Sequence, residues 1–418
     1  MSDYFQRVPA SSSPLWRGKE PLLPWLDMEL TERCNNDCIH CCVNLPAGDG
    51  AARARELSTE EIKAILREAA SLGCLTVRFT GGEPLLRKDF EDLYLFTRQL
   101  GIKVLLFTNA RLVTPRLSAL FIRIPPGMEI EVTVYGMRAE SYEAVSRVPG
   151  SFAQFRRGIE LLLERRVPFI VKGALLPPNQ DELAEFKRWA GTIPWMVGPP
   201  QYAMCFDLRN RRDSPERNRL IKSLRATTEQ GLSVLKRTGA RYREETLNFC
   251  GKFTGVPGDR LFDCGAGRGG CVDPYGGFRP CMTFCAPEWT YDLRCGTLRD
   301  ALENFFPRLR DLRATSAAYL ERCARCFLKG LCEQCPAKSW AETGSLDTPL
   351  EYFCQFAHQQ ARDLGLIGLD EEAWKVLDSR RRLERLAEAP NSESRCKTRH
   401  CGGGVQQLVQ TEAHEPGT

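Results

Sequence analysis

The cysteines constrain the fold of this chain more than any other residue type does. The 418-residue sequence contains 19 of them, in an early group and a late group separated by a long stretch that holds only three. The N-terminus is polar and rich in proline and serine, without the apolar segment of a secretory signal, so we expect a cytoplasmic location. In a reducing compartment, so many thiols are more often metal ligands than disulfide partners. The sequence therefore predicts two metal-binding regions.

Length, charge and hydropathy exclude several classes of protein. A chain of this length is expected to form more than one domain. The net charge of +5, from 58 basic and 53 acidic residues, gives no indication of a nucleic-acid partner. No apolar run approaches the roughly 18 residues that span a bilayer, so we expect no membrane partner either.

Strands alternate with helices between Leu26 and about residue 210. The clearest helix is Ser58–Leu72, in which Ser58 and Glu61 form a capping box and Gly73 follows the last turn. The predicted strands are Leu26–Leu30, Cys74–Thr80, Lys103–Thr108, Ile130–Val134, Phe169–Leu175 and Tyr202–Phe206. Such alternation predicts a parallel sheet. An open, partial barrel and a doubly wound sheet both fit this pattern.

Changes in composition divide the chain into six segments. They are an N-terminal arm (1–25), the strand–helix domain (26–210), a polar helical connector (211–260), a cysteine-rich domain (261–360), a charged helix (361–390) and a disordered tail (391–418). The cysteine-rich segment has little regular periodicity. A small metal-binding domain needs only a small apolar core, because metal binding contributes to its folding free energy.

The early cysteines have the spacing C-x3-C-x2-C, with Cys34, Cys38 and Cys41 directly after the first predicted strand. A cubane [4Fe–4S] cluster is normally held by four thiolates, so three of them in one loop leave one iron open to a small molecule. An open position is typical of catalytic metal sites. The alternatives are a zinc site or a redox dithiol, but none of the four histidines is an obvious fourth zinc ligand. We assign the neighbouring Cys42 a structural role.

A second motif, Gly81-Gly82-Glu83-Pro84, follows the second predicted strand. Its glycines allow the backbone to approach a ligand closely, and the Glu83 carboxylate can accept hydrogen bonds from an ammonium group. Such a turn is a weak signal by itself. Its position after the cysteine triad makes it a strong one.

Together, the triad and the Gly81–Pro84 turn resemble the signature of the radical SAM family. The resemblance implies an open, partial (β/α)6 barrel of the TIM type, in which S-adenosylmethionine binds the open iron of the cluster. One electron then splits a carbon–sulfur bond, and the resulting 5′-deoxyadenosyl radical takes a hydrogen atom from the substrate. The resemblance also implies an external one-electron donor of the flavodoxin or ferredoxin type.

By the same resemblance, residues of the turn and two later residues contact S-adenosylmethionine. Gly81, Gly82, Glu83 and Pro84 would hold its amino group. Thr133, near the end of the fourth predicted strand, would meet the ribose or the carboxylate, and Arg147 would bind the carboxylate. A buried strand threonine and a solvated arginine are the alternatives for these two residues. No catalytic side chain is assigned.

The late cysteines have spacings of their own. Cys264-x6-Cys271-x9-Cys281 comes first, and Cys323-x2-Cys326-x5-Cys332-x2-Cys335 is followed by Cys354. Eight cysteines are what two fully ligated [4Fe–4S] clusters require. Two structural zinc ribbons are the alternative. The irregular spacings and the upstream triad favour iron and sulfur.

This late block resembles the SPASM domain that follows the catalytic domain in some radical SAM enzymes. The resemblance implies interleaved ligands for two auxiliary clusters. Cys264, Cys271, Cys281 and Cys335 would hold the first cluster, and Cys323, Cys326, Cys332 and Cys354 the second. Cys285 and Cys295 are alternative ligands for the first.

The resemblance favours a peptide or protein substrate, because relatives with a SPASM domain mostly modify peptides and proteins. Relatives that mature sulfatases carry an aspartate after the cysteine that matches Cys281. This chain has Met282 there, which counts against that activity. A radical SAM enzyme that acts on a small metabolite or tetrapyrrole precursor is the alternative. A third hypothesis, a non-catalytic iron–sulfur or zinc-binding protein, would not need the open triad and the Gly81–Pro84 turn.

Overall fold

The computed structural model describes residues 22–43, 45–208, 214–237, 240–251, 258–332 and 334–388. The expected disordered tail at 391–418, with Cys396 and Cys401, and nearly all of the expected N-terminal arm lie outside these residues. Within them, no helix combines the length and the hydropathy of a membrane span.

Strands and helices alternate in the first half of the described chain, as the sequence predicts. The strands are β1 (Trp25–Thr31), β2 (Arg33–Cys34), β3 (Leu45–Pro46), β4 (Thr76–Gly81), β5 (Lys103–Thr108), β6 (Ile130–Val134), β7 (Phe169–Ala174), β8 (Tyr202–Ala203), β9 (Gly270–Val272), β10 (Gly277–Arg279) and β11 (Tyr291–Asp292). The helices are α1 (Gly50–Arg55), α2 (Thr59–Ser71), α3 (Phe90–Gln99), α4 (Pro115–Arg123), α5 (Ala139–Ser146), α6 (Ser151–Glu164), α7 (Leu183–Ala190), α8 (Pro215–Ser223), α9 (Thr228–Lys236), α10 (Ala240–Gly251), α11 (Leu298–Asp300), α12 (Phe306–Arg310), α13 (Pro336–Thr343), α14 (Glu351–Asp363) and α15 (Ser379–Glu388).

The order of the parallel strands decides between the two folds that the sequence left open. β1, β4, β5, β6, β7 and β8 lie side by side in that order, which is also their order in the chain. A doubly wound sheet would reverse its strand order at a switch point. The partial, open barrel is therefore confirmed, with a sixth strand, β8, that is shorter than predicted.

The sheet continues past β1 into the cysteine-rich part of the chain. β9 pairs in parallel with β1, so that Leu26 lies opposite Gly270 and Met28 opposite Val272. β10 and β11 extend the sheet further as antiparallel strands. No sequence pattern indicated this pairing. One sheet therefore joins residues before position 211 to residues after position 261. The domain boundaries at these two positions stay a prediction.

Helix α2 shows how local sequence builds the outer layer of the barrel. The Ser58 side chain accepts a hydrogen bond from the Glu61 backbone N–H, and the Glu61 carboxylate accepts one from the Ser58 N–H, which completes the predicted capping box. Ile62, Ile65 and Leu66 are buried against the sheet. Burying each of these side chains stabilises the fold by roughly 1.5–3 kcal/mol.

Strands β1, β4 and β6 have one apolar and one polar face, because successive side chains point to opposite sides. The apolar face packs with the helices in the main core. We call the opposite face of the sheet the lumen face. Its charged and polar residues are Asp27 and Glu29 of β1, Arg78 and Thr80 of β4, Glu131 and Thr133 of β6, and Lys172 of β7.

Candidate active site and metal centres

The triad loop, residues 31–41, leaves β1 and is held by the backbone on both sides. The Asp37 N–H donates to the Ser146 carbonyl oxygen at 2.9 Å, and the Ile39 N–H donates to that of Val145 at 3.0 Å. These contacts fix the loop against the C-terminal end of α5. Its three cysteines therefore have a defined place at the carboxyl end of β1.

The three thiols of the triad lie close enough to affect one another. Burial raises the pKa of Cys34 well above its ordinary value, with further increases from Glu83, Cys38 and Cys41. Burial and then Cys41 raise the pKa of Cys38 to about 12. Grouped, buried thiols of this kind require nearby positive charge to ionise. Iron ions would supply it, so the donor set fits a cluster with three protein ligands.

The Gly81–Pro84 turn lies directly against the triad loop. The Gly82 N–H donates to the Thr31 carbonyl oxygen at 2.7 Å, and the Glu83 N–H donates to that of Arg33 at 2.9 Å. A methyl group on Gly82 would lie 2.2 Å from the Arg33 oxygen. Only glycine permits this approach, so the two motifs that resemble the family signature form one unit.

The Glu83 side chain has hydrogen-bond partners within the protein. Its carboxylate is fully buried and accepts hydrogen bonds from the Leu85 N–H, the Thr108 hydroxyl and the Asn109 N–H. Burial outweighs these bonds and raises the pKa of Glu83 to about 7. The carboxylate thus links the ends of β4 and β5. Binding of an ammonium group by this carboxylate stays a prediction. The three hydrogen bonds that the carboxylate already accepts do not favour such binding.

Arg147 also has partners within the protein. It has a left-handed backbone conformation directly after α5, with a φ of 55°. Its guanidinium donates to the Asp37 carbonyl oxygen at 2.8 Å and forms an ion pair with the Asp37 carboxylate. Arg147 therefore fixes the triad loop in this structure. Thr133 is half-buried on the lumen face, opposite Lys172 of β7. The cofactor contacts of both residues stay predictions.

Two side chains from outside the triad loop support it, and the sequence did not identify the first of them. Arg217 of α8 donates to the Cys38 carbonyl oxygen at 2.8 Å and to the Cys41 carbonyl oxygen at 2.8 and 3.1 Å. The Asn109 side chain donates to Asn35 at 2.7 Å and lies 3.9 Å from the Cys34 sulfur. No spacing rule identifies Arg217, because it lies 176 residues after Cys41. Asn109 directly follows β5, and that position was a usable signal.

Four late cysteines line one opening, which we call the quartet cavity. They are Cys323, Cys326, Cys332 and Cys354, together with Arg322, Lys329, His358 and Trp374. Burial raises the pKa of Cys332 well above its ordinary value, and the other three thiols raise it further. These are the four cysteines predicted for the second auxiliary cluster, and the structure brings them together.

Three of the four cysteines predicted for the first auxiliary cluster are also neighbours. Burial raises the pKa of Cys281 to about 12, with further increases from Cys335 and Cys264. The fourth, Cys271, is fully buried in β9, and its sulfur lies 3.9 Å from the Arg279 guanidinium. Its place as a ligand stays a prediction.

The two alternative ligands differ from each other. Cys285 lies 2.7 Å from the same Arg279 guanidinium. Burial raises the pKa of Cys42 well above its ordinary value, with smaller increases from Cys41, Asp207 and Cys285. Cys295 is exposed and lies beside Asp292. In the described part of the chain, no group of three or more His, Cys, Asp or Glu side chains is arranged to hold a single metal ion.

The lumen face carries compensating charges that the sequence analysis missed. Arg279 of β10 pairs with Glu29 at 2.5 Å, and Lys172 pairs with Glu131 at 2.6 Å. Arg78 lies 3.3 Å from Asp27, and its guanidinium and the Lys172 ammonium both pack on the Phe107 ring. The two members of each pair come from different strands, so alternation within one strand could not identify the pairs.

Residues 28–190 match the Radical SAM superfamily, and this stretch contains both the triad and the Gly81–Pro84 turn. The protein is a radical SAM enzyme. Its cofactors are accordingly a [4Fe–4S] cluster and S-adenosylmethionine, for which Cys34, Cys38 and Cys41 supply a fitting donor set. The cysteine-rich C-terminal part is consistent with a SPASM-type domain.

Relatives of this radical SAM enzyme have several different names. It is 27% identical to the AdoMet-dependent heme synthase of Methanosarcina barkeri over 338 residues, 77% of this chain and 93% of the relative. It is 29% identical to the mycofactocin maturase MftC of Mycolicibacterium smegmatis over 269 residues, 61% and 63% of the two chains. The solved structure of anSMEcpe with bound AdoMet has a TM-score of 0.58 at 17% identity and covers 86% of this chain and 98% of its own, which shows a shared fold.

Proposed function

We propose that this radical SAM enzyme holds two auxiliary [4Fe–4S] clusters besides the catalytic one and uses them to remove an electron from its substrate. The quartet cavity carries this proposal, because four thiols around one opening match the ligand count of a closed cluster. A closed cluster suits electron transfer, whereas an open one suits ligand binding. Cys264, Cys281 and Cys335, with Cys271 as the proposed fourth ligand, would hold the first auxiliary cluster.

Each element of the catalytic site has a proposed task. Cys34, Cys38 and Cys41 hold the catalytic cluster, and the Gly81–Pro84 turn and Thr133 position S-adenosylmethionine. When bound, the cluster and S-adenosylmethionine together supply a 5′-deoxyadenosyl radical that removes a hydrogen atom from the substrate. Arg147 and Arg217 keep the triad loop in place through Asp37 and the loop carbonyls. A one-electron carrier of the flavodoxin or ferredoxin type is the proposed electron donor.

For the substrate we propose a peptide or protein. The lumen face supports this choice, because the partly exposed pairs Arg78–Asp27 and Lys172–Glu131 offer charges of both signs to a polar chain. The relation to a mycofactocin maturase points the same way. A tetrapyrrole precursor is the second candidate, because the heme synthase relative aligns over 93% of its own length.

The test is anaerobic reconstitution of the full chain with iron and sulfide. Three clusters predict about twelve irons per chain on the four-iron count, and dithionite with S-adenosylmethionine should release 5′-deoxyadenosine. An iron content near four, or a protein that binds only zinc, would overturn the proposal of auxiliary clusters.

The two substrate candidates are separated by adding each to the reconstituted enzyme. A true substrate should accelerate formation of 5′-deoxyadenosine and change in mass by loss of hydrogen or of a carboxyl group. We expect this from a peptide encoded beside the gene and not from iron coproporphyrin. Acceleration and mass change with iron coproporphyrin alone would establish the second candidate.

A further inference from the structure

The quartet cavity contains more than its four thiols. Arg322, Lys329 and His358 also line it, and the Trp374 ring lies against Arg322. Lys329 is buried and lies 3.6 Å from Asp263. The cavity therefore combines sulfur ligands with positive charge and hydrogen-bond donors, the features that set the reduction potential of an iron–sulfur cluster.

Arg322 is held with its guanidinium beside one sulfur. One of its terminal nitrogens lies 3.6 Å from the Cys354 sulfur. Glu351, one turn before Cys354 on α14, accepts from both terminal nitrogens at 2.6 and 3.2 Å. The Trp374 ring packs 4.7 Å from the guanidinium carbon. A bidentate ion pair and a stacked ring together fix the direction in which Arg322 donates.

His358 supplies a second donor near the same sulfur. Its Nε2 accepts a hydrogen bond from the Ala373 N–H at 3.2 Å, which assigns the proton of the neutral ring to Nδ1. Nδ1 lies 2.9 Å from the Cys354 carbonyl oxygen and 3.6 Å from its sulfur. Cys354 is therefore the ligand of this quartet that two side-chain donors approach.

We propose that Arg322 raises the reduction potential of the cluster held by Cys323, Cys326, Cys332 and Cys354, and that Glu351 limits this effect. The inference rests on the proposed second auxiliary cluster. A cluster gains one negative charge on reduction, so a cation beside its sulfur stabilises the reduced form, and a carboxylate beside that cation opposes it. Arg322 thus favours the arrival of an electron at this cluster.

The opposite signs of Arg322 and Glu351 give a sharp test. Redox titration of the reconstituted full chain, followed by electron paramagnetic resonance, should show one cluster whose potential falls in Arg322→Gln and rises in Glu351→Gln. We expect at least a tenfold change in the reduction equilibrium, about 59 mV for one electron. Arg322→Lys keeps the charge and should stay near the wild-type potential.

Arg325→Gln is the matched control. Arg325 is exposed and lies three residues after Arg322. The substitution removes the same charge as Arg322→Gln does, and we expect it to leave all reduction potentials unchanged. Equal shifts in Arg322→Gln and Arg325→Gln, or no opposite shifts in Arg322→Gln and Glu351→Gln, would overturn the inference. If Arg322→Gln loses iron, Glu351→Gln decides alone, and only an upward shift supports the inference.

Iron content separates this inference from the proposed function. About twelve irons in the wild type with unchanged potentials in the variants would overturn the role of Arg322 alone. About eight irons, with no loss on removal of the quartet cysteines, would overturn the second auxiliary cluster and with it the inference.

Discussion

The triad loop and the quartet cavity both gather cysteines, but they do so in opposite ways. Cys34, Cys38 and Cys41 come from one short loop, and backbone hydrogen bonds from β4 and α5 hold that loop in place. The cysteines of the quartet cavity come from two segments, 323–332 and α14, which meet only in the folded chain. The first site supplies three thiols and the second four. In the proposed function, this difference gives ligand binding to the first site and electron transfer to the second.

Positive charge is also used differently at the two sites. Arg217 and Arg147 contact carbonyl oxygens of the triad loop, so they fix its backbone. Arg322 contacts a sulfur of the quartet cavity directly. Charge near a carbonyl oxygen stabilises a backbone conformation, whereas charge near a ligand sulfur changes the reduction potential of the cluster.

Removing the cysteines of one site at a time tests this comparison most strongly. Changing Cys34, Cys38 and Cys41 together to alanine should abolish 5′-deoxyadenosine formation and remove about four irons. Changing the quartet cysteines to alanine should remove a similar amount of iron and still leave some cleavage of S-adenosylmethionine. Iron content and product measured by chromatography check both results. Product from the triad variant would assign catalysis to another cluster.

The close approach of the turn to the triad loop gives the next effect in size. Gly82→Ala places a methyl group 2.2 Å from the Arg33 carbonyl oxygen, so the loop must shift. Overpacking of this kind costs about 1–3 kcal/mol, and a displaced reaction centre lowers the rate roughly hundredfold. We expect that loss in 5′-deoxyadenosine formation. Gly48→Ala is the control, because nothing lies within 4 Å of the added methyl group.

The fourth ligand beside Cys264, Cys281 and Cys335 can be assigned by iron content. We expect Cys271→Ala to lose up to four irons, because Cys271 is the predicted ligand. Cys285→Ala should keep its full iron content. The reverse result would make Cys285 the ligand and would move the first auxiliary cluster toward Cys42, whose thiol Cys285 influences.

The buried Glu83 predicts a pH dependence of stability rather than a loss of activity. Its pKa of about 7 in the folded protein exceeds the ordinary value of 4.5. The folded state therefore keeps the proton between these values while the unfolded state loses it, and stability falls as pH rises from about 4.5 to 7. The change is on the order of 3 kcal/mol. Glu83→Gln should flatten this slope in thermal unfolding of the cluster-free protein, and an equal slope in both proteins would contradict the assignment.

Local signals in the sequence predicted much of the barrel. Ser58 and Glu61 identified a helix start, and the alternation of strands and helices identified a parallel sheet, because both depend on neighbours in the chain. The resemblance to SPASM domains also predicted which late cysteines meet in the quartet cavity. Spacing alone would not have separated Cys335 from Cys323, Cys326 and Cys332, because all four lie in one short run.

Contacts between distant segments could not be predicted in the same way. The pairing of β9 with β1 joins residues about 240 positions apart, and Arg217 reaches the triad loop from α8. The partners of Glu83 and Arg147 depend on which strand ends and loops become neighbours after folding. A charged side chain in a sequence does not reveal whether it will meet a cofactor or a backbone carbonyl.

The parallel pairing of β9 with β1 limits how this enzyme can be divided or recombined. A fragment that ends before β9 would leave the backbone donors and acceptors of β1 open to another chain, which favours aggregation. A chimaera that replaces the C-terminal half would need a strand of matching register, since a slip by one residue turns every side chain to the wrong face. A truncated or recombined protein should therefore keep the barrel and the cysteine-rich part from the same parent chain.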